Sequence, residues 1–137
     1  MKLCSACLLG IKCRYDGNVK KNNKVIKLTK KEVLIPVCPE QLGGLTIPRE
    51  STEIKKGKVF TQSGKDVTEN FQKGAQEVLK IVKLLDIKEA IFKTKSPSCG
   101  SGQIYDGTFS GKLTQGDGIT TRLLKKNNIK IITEEEL

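Results

Sequence analysis

Apolar residues along this chain follow two rhythms. Short runs at Lys2-Leu3-Cys4, Val33–Val37, Ala90-Ile91-Phe92 and Ile129–Ile132 are bounded by polar, Gly or Pro residues and read as buried strands. They predict strands near 2–5, at 33–37, at 89–93 and at 129–132. A smaller strand is expected at Lys58–Thr61, with Gly57 and Gly64 as its turns. The other rhythm is helical. Phe71, Ala75, Val78, Leu79, Val82 and Leu85 recur at steps of three and four, which predicts an amphipathic helix of about five turns. Asp66, with Glu69 three residues on, gives it a capping-box-like start. Val25, Ile26 and Leu28 predict a short helix within 22–31, and a last helix runs from about Gly118 to Lys126, closed by Asn127-Asn128. The acidic end, Glu134–Glu136, is expected to be solvated.

Strands alternating with helices predict an α/β fold: a single domain over 1–137, with a mostly parallel sheet flanked by helices in a Rossmann-like or flavodoxin-like three-layer arrangement. The loops after the strands at 2–5, 33–37 and 89–93 are much longer than usual, and long irregular loops in a compact domain are usually functional. Each carries a cysteine: Cys7, Cys38 and Cys99. Parallel strands place these loops on one edge of the sheet, where ligands of open α/β sheets bind. Three thiols meeting there suggest a metal or iron–sulfur site with three protein ligands and one vacant position.

Composition narrows the chemistry. No apolar run approaches the roughly 20 residues needed to span a bilayer, and Met1–Ser5 opens no secretory signal, so a cytosolic protein with no membrane partner is expected. In a reducing compartment, five cysteines suit metal binding or catalysis better than disulfides. With no histidine, Ser-His, Cys-His and two-Cys-two-His chemistries are excluded. The net charge of +10 raises nucleic acid as a partner. However, 22 of the 25 basic residues are Lys, spread along the chain; only Arg14, Arg49 and Arg122 are Arg. That pattern favours a solvated surface over a specific phosphate or base reader.

Three segments carry the candidate chemistry: Ser5-Ala6-Cys7-Leu8-Leu9-Gly10 continuing to Cys13-Arg14-Tyr15-Asp16-Gly17; Pro36-Val37-Cys38-Pro39-Glu40-Gln41-Leu42-Gly43-Gly44; and Lys95-Ser96-Pro97-Ser98-Cys99-Gly100-Ser101-Gly102. Cys4 falls inside the first strand and reads as a buried core thiol; Cys13 is near the site but follows no strand. Cys4-Ser5-Ala6-Cys7 is formally C-x-x-C, yet Leu8-Leu9-Gly10 leads into a Gly-rich loop rather than the helix that a thioredoxin-like thiol needs. A structural zinc on Cys4, Cys7, Cys38 and Cys99 is a competing arrangement. Glu40, two residues beyond Cys38, projects near the same site. Ser96, Ser98 and Asp16 also have ordinary readings as turn residues. Tyr105-Asp106-Gly107 reads as a loop-shaping turn.

S-A-C-L-L-G with R-Y-D-G, P-V-C-P-E-Q-L-G-G-L, D-V-T, and K-S-P-S-C-G-S-G-Q-I-Y-D-G-T-F-S-G, taken together and in order, resemble a widespread bacterial family. It was long catalogued as a domain of unknown function and includes thiouracil desulfidase. The resemblance spans nearly the whole chain. It implies a 4Fe–4S cluster held by Cys7, Cys38 and Cys99, with one iron not bound by protein, and Cys13 as an extra thiol. It implies a reaction that removes sulfur from a thiolated pyrimidine by non-redox hydrolysis. Glu40 is then expected to move protons, Ser96 and Ser98 to orient substrate or relay a proton, and Asp16, Ser101 and Gln103 to contact substrate. The alternatives are sulfur transfer to or from tRNA bases, and a non-catalytic cluster- or zinc-binding domain.

Overall fold

In the computed structural model, which describes residues 1–137, strands β1 (Lys2–Ser5), β2 (Leu34–Val37), β5 (Glu89–Phe92) and β8 (Lys130–Thr133) form one sheet in the order β2-β1-β5-β8. Every pairing in it is parallel. The chain steps outward from β1 to β2 and then returns across β1 to β5. The order therefore reverses between β1 and β5, as in flavodoxin-like sheets, and the crevice at their carboxyl ends is the expected binding position.

Side-chain alternation explains the layers. Leu3 pairs in register with Ile35 and Ala90, and all three turn toward a core that also takes Val37 and Phe92. Helix α3 (Thr68–Leu85) covers that face with Val78, Leu79 and Val82, and helix α4 (Ile119–Lys126) adds Leu124. Cys4 pairs with Ile91 and turns the other way, into a core with Leu34, Leu8 and Val25 of helix α1 (Asn23–Leu28). Asn22 caps α1, its Oδ1 accepting from the backbone N–H groups of Lys24 and Val25. Pro36, with no N–H to donate, is tolerated because β2 is an edge strand. No helix is long and apolar enough to cross a membrane.

Four features depart from the sequence reading. The capping box at Asp66 does not form. Asp66 Oδ1 instead accepts from the N–H and hydroxyl of Thr68, and α3 starts there. Leu8-Leu9 is not plain loop: Ala6–Leu9 winds into a 3-10 turn. The stretch after Cys38 opens with a one-turn helix, α2 (Pro39–Leu42). Two antiparallel hairpins also form inside the long loops, where the sequence predicts only the strand at Lys58–Thr61. One pairs β3 (Thr52–Lys55) with β4 (Lys58–Thr61), and the other pairs β6 (Gln103–Tyr105) with β7 (Leu113–Gln115).

Helix α2 is seated by a close backbone approach. A Cβ on Gly74 would lie 1.9 Å from the Pro39 carbonyl oxygen, and one on Gly43 would lie 1.9 Å from the Asn70 carbonyl oxygen. The Asn70 side-chain amide also donates to the Gly43 carbonyl at 2.9 Å. Neither obstruction is a flexible side chain that could swing aside. Gly74→Ala is expected to cost about 3 kcal/mol or more, at the upper end of overpacking effects. Urea unfolding checks this, with Gln72→Ala on the exposed face of α3 as the near-neutral control.

Candidate functional site

The carboxyl edge of the sheet opens into a cleft of about 690 Å³. Cys7, Cys13, Cys38 and Cys99 all line it, and Cys4 does not. The four thiols arrive from both faces of the sheet. Cys99 belongs to the core beneath α3 and α4, whereas Cys7 and Cys13 belong to the core beneath α1, and Cys38 packs against them.

Each thiol is positioned differently. Cys7 sits within the 3-10 turn that continues β1. Cys38 is the residue before α2, so the Gln41 N–H points toward its sulfur. Cys99 lies within a turn closed by the Gly100 N–H to the Ser96 carbonyl at 2.8 Å. The first N–H groups of α4 bind that turn: Ile119 donates to the Pro97 carbonyl at 2.8 Å and Thr120 to the Ser98 carbonyl at 3.0 Å. The Thr121 hydroxyl donates to the Cys99 carbonyl at 2.8 Å.

Protons divide unequally among these thiols. Cys13 is 3% exposed and hydrogen-bonds both neighbours, Cys38 and Cys7. Those bonds, with burial, push its own pKa far up. They pull Cys38 down to about 7, helped by the Gln41 N–H and Arg49. Cys7 is lowered by the same Cys13 bond first, then by Lys93 and Arg14, against the cost of burial. The thiolate form is therefore favoured at Cys7 and Cys38 and disfavoured at Cys13, and Cys38 Sγ also lies 3.7 Å from the Cys13 carbonyl oxygen. Burial drives Cys99 up, opposed by hydrogen bonds from Ser5 and Ser98. Cys4 is fully buried and pushed up to about 12, first by burial.

The serine pair forms a directed chain. Ser96 Oγ accepts from the Ser98 N–H at 3.1 Å and the Cys99 N–H at 3.0 Å. With both acceptor positions filled, its own proton goes to Ser98 Oγ, 3.0 Å away. The Ser98 proton then points to Cys99 Sγ at 3.6 Å. Ser98 is 2% exposed, so its hydroxyl serves the sulfur.

Glu40 lines the same cleft. Its Oε2 is held by Arg49 Nη2 at 3.0 Å, and Oε1 has no protein donor. Burial raises its pKa and Arg49 opposes the rise. Arg49 is itself 7% exposed and also donates to the Cys13 carbonyl at 2.9 Å.

Of the residues expected from sequence, Cys7, Cys38, Cys99, Glu40, Ser96 and Ser98 share this cleft. Asp16, Ser101 and Gln103 do not line it. Asp16 accepts from the Asn18 N–H at 2.9 Å and faces Arg14, the turn role of such a residue. Gln103 pairs with Gln115 in the β6–β7 hairpin and is exposed. Glu134 is not solvated. It is 9% exposed, pairs with Lys93 at 3.0 Å and accepts from the Thr94 N–H at 2.7 Å. Sequence spacing gave no sign of Arg49 or of Cys13 bridging two thiols. Arginine scarcity was the available signal, since Arg14 and Arg49, two of only three arginines, are at the site.

This arrangement has relatives. A family model described as 2-thiouracil desulfurase matches residues 3–136. The Bacillus subtilis (strain 168) "Uncharacterized protein YbbK" is 44% identical over 147 aligned positions, covering 100% of this chain and 97% of that protein. A solved structure of the 4Fe–4S-dependent thiouracil desulfidase TudS (DUF523Vcz) superposes with a TM-score of 0.94. It is 41% identical and covers 99% of this chain and 91% of that one. The parallel sheet, its thiol-lined carboxyl edge and the match over almost every residue agree: the chain belongs to the 2-thiouracil desulfurase family.

Proposed function

We propose that this protein is a 4Fe–4S-dependent desulfidase that hydrolyses the C=S bond of a free thiolated pyrimidine, giving the oxo base and sulfide with no net redox change. The observation that carries the reading is the convergence of Cys7, Cys38 and Cys99, from three separate strand-end loops, on the cleft that also holds Glu40. The donor set suits the cofactor. Cys7 and Cys38 are already lowered, and Cys99 receives hydroxyl donors that a buried thiolate requires. Cys7, Cys38 and Cys99 would hold the cluster, with Cys13 as a protonated neighbour. When bound, such a cluster supplies a Lewis-acidic iron without a protein ligand, suited to a thiocarbonyl sulfur.

The chain's own residues do the rest. Glu40 Oε1 takes a proton from the water that attacks the ring carbon, while Arg49 fixes Oε2. The C=O bond forms, the C–S bond breaks, and the bonding pair leaves with sulfur as hydrosulfide. Ser96 and Ser98 hold the Cys99 sulfur in place. Because Glu40 acts ionised, activity falls as pH drops through its pKa, which burial sets above the ordinary carboxylate value. Arg49→Met removes the opposing charge, so the acid limb of the kcat/KM profile should move to higher pH. An unmoved limb would sink the base assignment.

Charge supports a free base over a nucleic acid. Arg14, Lys20, Lys93 and Lys95 line the cleft against Glu40, Glu53, Glu134 and Glu135, so the +10 of the chain does not concentrate there. The zinc arrangement loses support because Cys4 lies in the core outside the cleft, and no three such side chains converge on a single-ion position. Anaerobic reconstitution followed by a sulfide assay on 2-thiouracil, with thiolated tRNA as competitor, tests the proposal. Sulfide from the free base is expected; sulfide from tRNA alone would favour the transfer reading.

A further inference from the structure

Few of the chain's six aromatic residues serve the core alone. Phe71 and Phe92 are buried, and Phe60 is half-buried in β4. The other three, Tyr15, Tyr105 and Phe109, all line the cleft. Phe109 is the least expected of them. Its φ is 55°, the left-handed region that a bulky side chain rarely adopts. Strain of this kind persists only where surroundings over-determine it.

The surroundings here are specific. Glu53 of β3 accepts from the N–H groups of Gly107 and Phe109, both at 3.0 Å. Asp106 closes the turn below, accepting from the Thr108 N–H at 3.0 Å, and donates its own N–H to the Lys112 carbonyl at 3.0 Å. Gly107, at φ 91°, lets the turn press onto β3: a Cβ there would lie 2.8 Å from the Ile54 carbonyl oxygen and from Lys55 Cβ. The β6–β7 turn is thus fastened to the β3–β4 hairpin, and it carries Phe109 to the cleft wall. Arg14 and Tyr15 also line the cleft, with the Arg14 guanidinium 5.5 Å from the Tyr15 ring centroid.

We propose that Phe109 is the stacking platform for the substrate's heterocyclic ring, and that Glu53 is the residue that positions it. This rests on the thiolated-pyrimidine reading above. A flat ring suits an aromatic face without needing charge, and the cleft is charge-balanced. The role concerns ground-state binding, so it acts on KM more than on kcat.

The test uses the reconstituted, full-length protein with two readouts. One is the steady-state rate on 2-thiouracil; the other is calorimetric binding of uracil, which has no sulfur and so reports the ring alone. Phe109→Ala should raise KM about tenfold or more and weaken uracil by a similar factor, with kcat within about twofold. Phe109→Tyr should restore both. Glu53→Ala keeps the ring but frees the turn, and should raise KM while iron content stays at the wild-type level. Unchanged KM and uracil affinity in an iron-replete Phe109→Ala protein would overturn the proposal. Iron loss in Phe109→Ala, Phe109→Leu and Glu53→Ala alike would also overturn it, making the turn structural. A fully loaded wild type that releases no sulfide would instead fail the desulfidase reading, and uracil affinity would still judge the platform.

Discussion

Cys7→Ala, Cys38→Ala and Cys99→Ala are each expected to lose most of their iron after anaerobic reconstitution, against about four irons per chain in the wild type. Sulfide release should fall about a hundredfold or more with them. Cys13→Ala and Cys4→Ala should keep the cluster. The contrast follows from the environments of the thiols. The Cys13 thiol is raised by its hydrogen bonds to Cys38 and Cys7 and by burial, which disfavours its thiolate. Cys38 has both the Gln41 N–H and Arg49, and Cys7 has Lys93 and Arg14. Cys4 faces Leu34 and Ile91 in a dry core. Its loss should cost about 1 kcal/mol of packing rather than iron. Iron and acid-labile sulfide per chain, with the absorbance near 400 nm expected of such clusters, are the measurements. A full cluster in Cys7→Ala with an empty Cys13→Ala protein would transfer the first ligand to Cys13. One zinc in a colourless wild type would remove the cluster altogether.

How far the sequence carried this site depends on where the information lay. Short apolar runs and period-3.6 patterns are written by burial, so β1, β2, β5, β8 and α3 were legible from residues such as Leu3, Ile91 and Val78. Parallel order followed from the alternation of strands and helices, and it put Cys7, Cys38 and Cys99 on one edge. Helix α2 was not legible because a four-residue helix has almost no pattern of its own; its position comes from Gly43 and Gly74 meeting backbone on α3. Of the β3–β4 hairpin only β4 was legible, since Thr52-Glu53-Ile54-Lys55 has only one well-buried residue. Cys13 reaches the other thiols because the chain folds back after the 3-10 turn, which no spacing rule anticipates. Asp16 and Gln103 were carried by nearness to motifs, whereas local turns and hairpin pairing commit them elsewhere. Glu134 looked solvated by composition alone; its partners, Lys93 and Thr94, are distant in sequence and meet it only through the parallel β5–β8 pairing.

Glu40→Gln is expected to retain its cluster and lose about a hundredfold to ten-thousandfold in kcat, the range for removing a proton-transfer group. The substitution suits the geometry. Glutamine preserves the side-chain length and still offers an oxygen to Arg49 Nη2, so the 3.0 Å contact survives. What disappears is the basic oxygen facing the cleft. Breaking a buried ion pair can cost about 3–5 kcal/mol when one charge is left stranded. Here the cost should be smaller, because Arg49 keeps the carbonyls of Cys13 and Thr46 as acceptors, at 2.9 Å and 3.2 Å. Thermal unfolding of the loaded variant therefore separates a structural loss from a chemical one. A second comparison sharpens it: Ser96→Ala breaks the chain that ends on Cys99 Sγ but leaves Glu40 untouched. That variant should weaken cluster retention more than turnover per cluster, while Glu40→Gln should do the reverse. Full activity in an iron-replete Glu40→Gln protein would mean that the attacking water finds its base elsewhere. Of the three remaining carboxylates lining the cleft, Glu53 and Glu134 are already committed to Phe109 and Lys93. Glu135, exposed and without a partner, would then be the next group to replace.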